Sequence, residues 1–171
     1  NVVVVGTRTS FVGDANIYTQ KYDKDGVLLW EQVDASGQDP YWQQPTWVTT
    51  SITSNIYVTG YMYTGTTNIH PDSVIVLKYD PLGNLQWRRT LGPTFIFGVQ
   101  VRCAVDDEEN LYVGAAGLQP GGFHLIKYDA NGNEIFHTTE ADPIGINMTS
   151  MRLKGGRVVL SGRGIGAVHG A

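Results

Sequence analysis

The sequence predicts an all-β chain built from a four-stranded unit that recurs along its length. Two sets of markers and one absence carry this reading. KYDKDGVLLW (21–30), KYDPLGNLQW (78–87) and KYDANGNEIF (127–136) share a Lys-Tyr-Asp opening and an aromatic end. Their aspartates, Asp23, Asp80 and Asp129, stand 57 and 49 residues apart, a period typical of repeat architectures. A second marker, Asn followed by four mostly apolar residues and a small one, occurs as NVVVVG (1–6), NIYVTG (55–60) and NLYVGA (110–115), and RVVLSG (157–162) is a fourth, looser copy. No segment keeps apolar residues at helical spacing over ten positions.

Taken in order, the elements assemble into one unit. NVVVVG reads as the second strand of a first unit, KYD as the end of its third strand and VLLW as the start of its fourth. PTWVTT (45–50), NIYVTG, SVIVLKYD (73–80) and LQWRRT (85–90) make a complete unit. VQVRCAV (99–105), NLYVGA, FHLIKYD (123–129) and EIFHTT (134–139) make another, and GINMTSMRL (145–153) with RVVLSG opens a fourth. Each run is rich in Val, Ile, Tyr and Thr and is bounded by Gly, Asp or Asn, as short strands are. The repeat boundaries fall at 1–32, 46–90, 99–138 and 144–171, within one domain over 1–171.

Four short antiparallel strands recurring at about 50 residues is the pattern of a β-propeller blade. Such a sheet cannot cover both its faces, so neighbours must stack on it. Val74 and Val76 alternate with Ile75 and Leu77, which puts apolar side chains on both faces of one strand and predicts a sheet sandwiched between others. Closed propellers have four or more blades, roughly 200 residues at this spacing. The 171 residues are therefore expected to be an incomplete propeller of three to four blades. The remainder of a longer chain, or further copies of this one, would close the ring.

The Lys-Tyr-Asp segments read as tight turns. Asp23 can accept backbone amides, Gly26 can take a positive φ, and Asn131-Gly132 is a favourable turn pair. Trp30, Trp87 and Phe136 then supply apolar surface between sheets, about 2 to 3 kcal/mol each when buried. Asp23 with Asp25, and Asp129 with Asn131 and Asn133, resemble the opening of a calcium loop. Both lack the later acidic ligand, and Pro81-Leu82 breaks the pattern in the middle copy. The acidic run Asp106, Asp107, Glu108 and Glu109 reads as a solvated hairpin.

With 42% hydrophobic and 16% charged residues the chain reads as folded. A net charge of −4 gives no electrostatic reason for a nucleic-acid partner, and no apolar run approaches the length of a membrane span. Cys103, the single cysteine, falls in the apolar VQVRCAV and is expected to be a buried strand residue. His70, His124, His137 and His169 lack metal-ligand spacing, and structural or surface roles are expected for them. GIGAV (164–168) is not a complete dinucleotide fingerprint, and no Gly-x-Ser-x-Gly is present. No catalytic, cofactor or metal residue is assigned. Asn147-Met148-Thr149 is formally an N-glycosylation acceptor.

Antiparallel connectivity sorts the connections to two ends. One end carries short turns. The other carries the longer segments 33–45, 61–72, 91–98 and 116–122, with Tyr41, Trp42, Tyr61, Tyr63, Phe95 and Phe97. These aromatics either contact a ligand, a protein or a glycan, or cover the top of the core.

NIYVTG with SVIVLKYDPLGNLQW, and NLYVGA with FHLIKYDANGNEIF, resemble the bacterial beta-propeller repeat (SBBP) family, over nearly all of the chain. Ala115, Phe136, Thr19 and Gln20 depart from its pattern. The resemblance implies a noncatalytic scaffold or protein-interaction module of a secreted, periplasmic or cell-surface protein, and it transfers no catalytic residue. The Tyr-Asp, Gly, Leu and Trp order is also similar to quinoprotein-type propellers, whose unit is shorter. A carbohydrate-binding module and part of a propeller enzyme are the alternative functions.

Overall fold

The computed structural model describes residues 1–9, 15–35, 42–63, 73–92, 96–119, 121–141 and 146–164. Among them it is all-β, with thirteen strands and no helix. In chain order the strands are β1 (Val2–Thr9), β2 (Ala15–Tyr22), β3 (Leu28–Val33), β4 (Trp42–Thr50), β5 (Ile56–Tyr63), β6 (Ser73–Tyr79) and β7 (Leu85–Leu91). They continue as β8 (Ile96–Val105), β9 (Leu111–Gln119), β10 (Gly121–Tyr128), β11 (Glu134–Ala141), β12 (Ile146–Lys154) and β13 (Arg157–Gly164).

The strands form antiparallel meanders. β1-β2-β3 and β4-β5-β6-β7 are two of these, joined into one sheet by a single parallel pairing of Ala15 with Trp42. β8-β9-β10-β11 is the third, and β12-β13 is a hairpin. Strand β4 begins at Trp42, so the segment 33–45 is shorter as a connection than the sequence suggests. The register shift between Pro45 and Trp47 accommodates a proline inside the strand.

The meanders stack face to face in chain order. Ile17, with the partly buried Val3, Val5 and Trp30, packs against Ile56, Val58, Met62, Ile75, Leu77 and Tyr79. On the other face, Tyr57, Val74, Val76 and Trp87 meet Val101, Cys103, Leu111, Val113, Ala115, Ile126 and Tyr128. Every residue of β6 is buried, as its doubly apolar sequence predicts. Met148 of β12 lies over Gly114, where a Cβ would come within 3.1 Å of its sulfur. Cys103 is buried and free, and burial pushes its thiol up to about 12.

Five hairpin turns share one geometry. Residues 23, 51, 80, 106 and 129 each donate their amide to the carbonyl four residues on. The residue just before that carbonyl has positive φ: Gly26, Ser54, Gly83, Glu109 and Gly132. In the Asp turns one carboxylate oxygen accepts two amides, as Asp80 Oδ1 does from Leu82 and Asn84 at 2.8 and 2.9 Å. The register slips by one residue beside each Lys-Tyr-Asp turn, so Lys21 opposes Trp30, Lys78 opposes Trp87 and Lys127 opposes Phe136. Directly opposed residues share a face, and the turn therefore aims a lysine and an aromatic at the same neighbour.

Candidate functional site

The paired lysine and tryptophan form a latch between successive meanders. Lys21 Nζ and Trp30 Nε1 both donate to the carbonyl of Pro81, at 2.8 and 3.1 Å. One unit later, Lys78 Nζ and Trp87 Nε1 donate to the carbonyl of Ala130, at 2.9 and 3.1 Å. In both cases the acceptor follows the turn aspartate of the next meander. The indoles also lie on that turn. A Cβ on Gly83 would stand 2.7 Å from Trp30, and one on Gly132 would stand 2.8 Å from Trp87. Trp30 further contacts Tyr79, and Trp87 contacts Tyr128, with ring centroids 6.0 and 6.1 Å apart. Each residue type the three segments share thus serves the turn or the junction. Arg89 Nε adds a bond to the Gly132 carbonyl at 2.6 Å.

The third copy departs from this. The Phe136 ring has no N–H to donate and the residue is 39% exposed, so it is not the buried wedge expected from the alignment of the three segments. No matching turn covers it among the described residues. Lys127 lies over the Tyr112 ring at 4.8 Å and 4.0 Å from Asp106.

Glu109 corrects the reading of its hairpin as wholly solvated. Asp107 and Glu108 are exposed, but Glu109, at the left-handed position of the turn, reaches back across the junction. It accepts hydrogen bonds from Thr53, from Asn55 Nδ2 at 3.0 Å and from the Tyr57 hydroxyl at 2.5 Å, and Lys78 Nζ stands 3.5 Å away. Burial raises the Glu109 pKa, but hydrogen bonding to Ser51, Thr53, Tyr57 and Asn55 outweighs it and holds the carboxyl at about 2. Ser54 is too short to do the same in the preceding hairpin. A surface cleft lined by Thr53, Asn55, Lys78, Glu109 and Asn131 lies here, with its charged groups engaged by one another.

At the opposite end, Trp42, Tyr61, Tyr63 and Phe97 of the predicted aromatics lie on strands. Trp42 opens β4 and is half-exposed, and Tyr63, partly buried, is its cross-strand partner at the end of β5. Tyr61 is buried, donates its hydroxyl to Gln44 Oε1 and meets Tyr63 edge-on at 5.8 Å. It covers the core. Phe97 lies on β8 in register with Gly117, its side chain outside the described residues, as are Tyr41 and Phe95. Trp42 and Tyr63 border a cleft of about 190 Å³ with Thr7, Thr9, Gln43 and Gln44. Sequence reading missed Gln43, Thr7 and Thr9. The available signal was a polar residue at an inward strand position, beside Met62 in the register.

A histidine pair, also unanticipated, lies on β10 and β11. His124 Nδ1 is 2.9 Å from His137 Nε2, and Thr139 Oγ1 is 3.3 Å from the same His124 nitrogen. Burial, then the neighbouring His137, lowers the His124 pKa. His70 and His169 lie outside the described residues, among which no cluster of three metal-ligating side chains occurs.

This geometry defines the class: an all-β protein of antiparallel meanders stacked in series through a repeated turn latch. No protein-family model matches the chain, and no curated protein does either.

Proposed function

We propose that the chain is a run of propeller-type blades acting as a noncatalytic scaffold, a protein-interaction module of an exported or cell-surface bacterial protein. The observation that carries this reading is the latch. Of the chemically capable residues that recur, the aspartates hold their own turns and Lys21, Trp30, Lys78 and Trp87 join one meander to the next. A surface whose repeated motif serves assembly suits a rigid platform for partners. The likeness of the segments to the bacterial beta-propeller repeat supports the export reading.

Lys127 and Phe136 support further units of the same kind. They occupy the latch positions, and a Lys-Tyr-Asp turn from another unit is the partner those positions take in the two complete junctions. Intact-mass analysis of the native polypeptide, with native pull-down and activity assay, tests the reading. It predicts a longer chain or a multimer, associated with proteins and without turnover of its own. A monomer of only this length with intrinsic turnover would overturn it.

A further inference from the structure

We infer that the junction between the first two meanders holds a binding site for a carboxylate group carried on a small apolar body. The second junction shows what such a group meets. There the Glu109 carboxylate accepts from Asn55 Nδ2 at 3.0 Å and from the Tyr57 hydroxyl at 2.5 Å, with Lys78 Nζ 3.5 Å away. The first junction repeats the receiving groups. Asn1 begins NVVVVG as Asn55 begins NIYVTG, and Lys21 opposes Val3 in the register as Lys78 opposes Tyr57. The carboxylate is not repeated. Ser54, with φ of 67°, holds the left-handed turn position that Glu109 holds with φ of 66°. Lys21 is 6% exposed, and its ammonium donates to the Pro81 carbonyl as Lys78 does to that of Ala130. Lys78 has a carboxylate beside it as well, whereas among the described residues Lys21 has none. Buried charges are ordinarily paired.

A second difference opens the space. The residue opposed to the lysine is Tyr57 in the second copy and Tyr112 in the third, but Val3 in the first. Tyr57 is fully buried, with Lys78 Nζ 5.2 Å from its ring centroid, and a valine fills less of that room. A cleft of about 250 Å³ lies here, lined by Asn1, Val3, Lys21, Thr50, Ser54 and Ile56. The lining chooses the ligand class. A buried ammonium, an amide and two hydroxyls suit the oxygens of a carboxylate. Val3 and Ile56, which pack in the same apolar cluster, suit the body that carries it. A neutral amide would match the hydrogen bonds but leave the ammonium without a counter-charge. The volume is below the usual range for drug-sized ligands and suits an acid of a few carbons or one ring. A free acid and a glutamate side chain of a partner bring the same group. The site belongs to one junction and does not depend on ring closure or on the scaffold reading.

The test is a titration followed by proton-nitrogen NMR, with the sodium salts of acetate, isobutyrate and benzoate. Acetamide, isobutyramide and benzamide serve as neutral matches, and sodium chloride as an inorganic one. A short peptide with a single glutamate, and its glutamine counterpart, are run in parallel. The expected result is saturable shifts at Val3, Lys21 and Ser54 with at least one carboxylate, about tenfold weaker or more with its amide, and none with chloride. Saturation by a free acid assigns a small-molecule source, and saturation by the glutamate peptide alone assigns a partner's side chain. Ser54→Glu supplies from within the group that Glu109 supplies in the next junction, at an exposed position. It should keep or raise the thermal unfolding midpoint and weaken the carboxylate by about tenfold or more. Val3→Tyr, which restores the ring of the other copies, should weaken it as well. Binding of neither acid nor glutamate peptide, equal binding of acid and amide, shifts reproduced by chloride, or binding undiminished in both variants would overturn the inference.

Discussion

At the scale of single residues, the molecule places charge where a backbone or a short network receives it. Lys21 and Lys78 are buried, and each ends on a carbonyl of the next meander. Such an ammonium replaces water with an acceptor at close range, which offsets part of its desolvation. Glu109 does the complementary work, gathering Thr53, Asn55 and Tyr57 on one carboxylate. Its folded-state pKa of about 2 lies below the ordinary 4.5, so its stabilising contribution is full above pH 4.5 and fades as pH falls toward 2. Glu109→Gln should lower the unfolding midpoint at pH 7 and narrow the gap to the parent at pH 2. A gap of equal size at both pH values would show that the charge has no part in it.

His124 acts in the same pH-dependent way. A base whose folded pKa is lowered binds fewer protons than the unfolded chain, so stability declines as pH drops below about 6.5, its ordinary value. In a proton-carbon NMR titration, the His124 ring should change state at a lower pH than a free histidine. A midpoint at or above 6.5 would contradict the buried pair.

At the scale of elements, one turn governs three strands' worth of register. The left-handed glycine and the slip beside it bring lysine opposite tryptophan, and the glycine also leaves room for the neighbour's indole. These two demands can be separated. Gly26 and Gly83 have φ of 82° and 92°, but a Cβ at Gly26 meets nothing within 4 Å, whereas one at Gly83 meets Trp30 at 2.7 Å. Gly26→Ala should cost about 1 kcal/mol, for backbone conformation alone. Gly83→Ala should cost about 2 to 4 kcal/mol, with the clash added. Equal losses in denaturant unfolding would remove the indole from the explanation. Trp87, 7% exposed and in contact with two tyrosines, should cost about 3 to 5 kcal/mol when changed to alanine. A loss below about 1 kcal/mol would show that it is no wedge.

Much at this scale was legible beforehand. Asn-Gly at 131–132, the alternation in SVIVLKYD and the recurrence of Trp30 and Trp87 each name a local preference, and local preferences are what a sequence states directly. The destination of the lysines was not legible. Their acceptor is a main-chain carbonyl 52 to 60 residues away, and every residue, proline included, carries that acceptor. Glu109 was misread because a charge run looks solvated until a left-handed backbone turns one member inward. Phe136 was misread because an aligned aromatic says nothing about whether a neighbour stands against it. Of the cleft, Trp42 and Tyr63 were visible as aromatics. Gln43 was hidden because its meaning depends on β2 lying beside β4.

At the scale of the whole molecule, the stacking of meanders in chain order is the feature on which the rest depends. The two latched junctions repeat the same parts at the same places, so stability should accumulate junction by junction, as in other quasi-one-dimensional assemblies. Nuclear Overhauser spectroscopy tests this most directly, through the Trp30 ring protons against Gly83 Hα and the Trp87 ring protons against Gly132 Hα. The account predicts strong cross-peaks for both pairs. Indole protons that contact only residues of their own meander would contradict it.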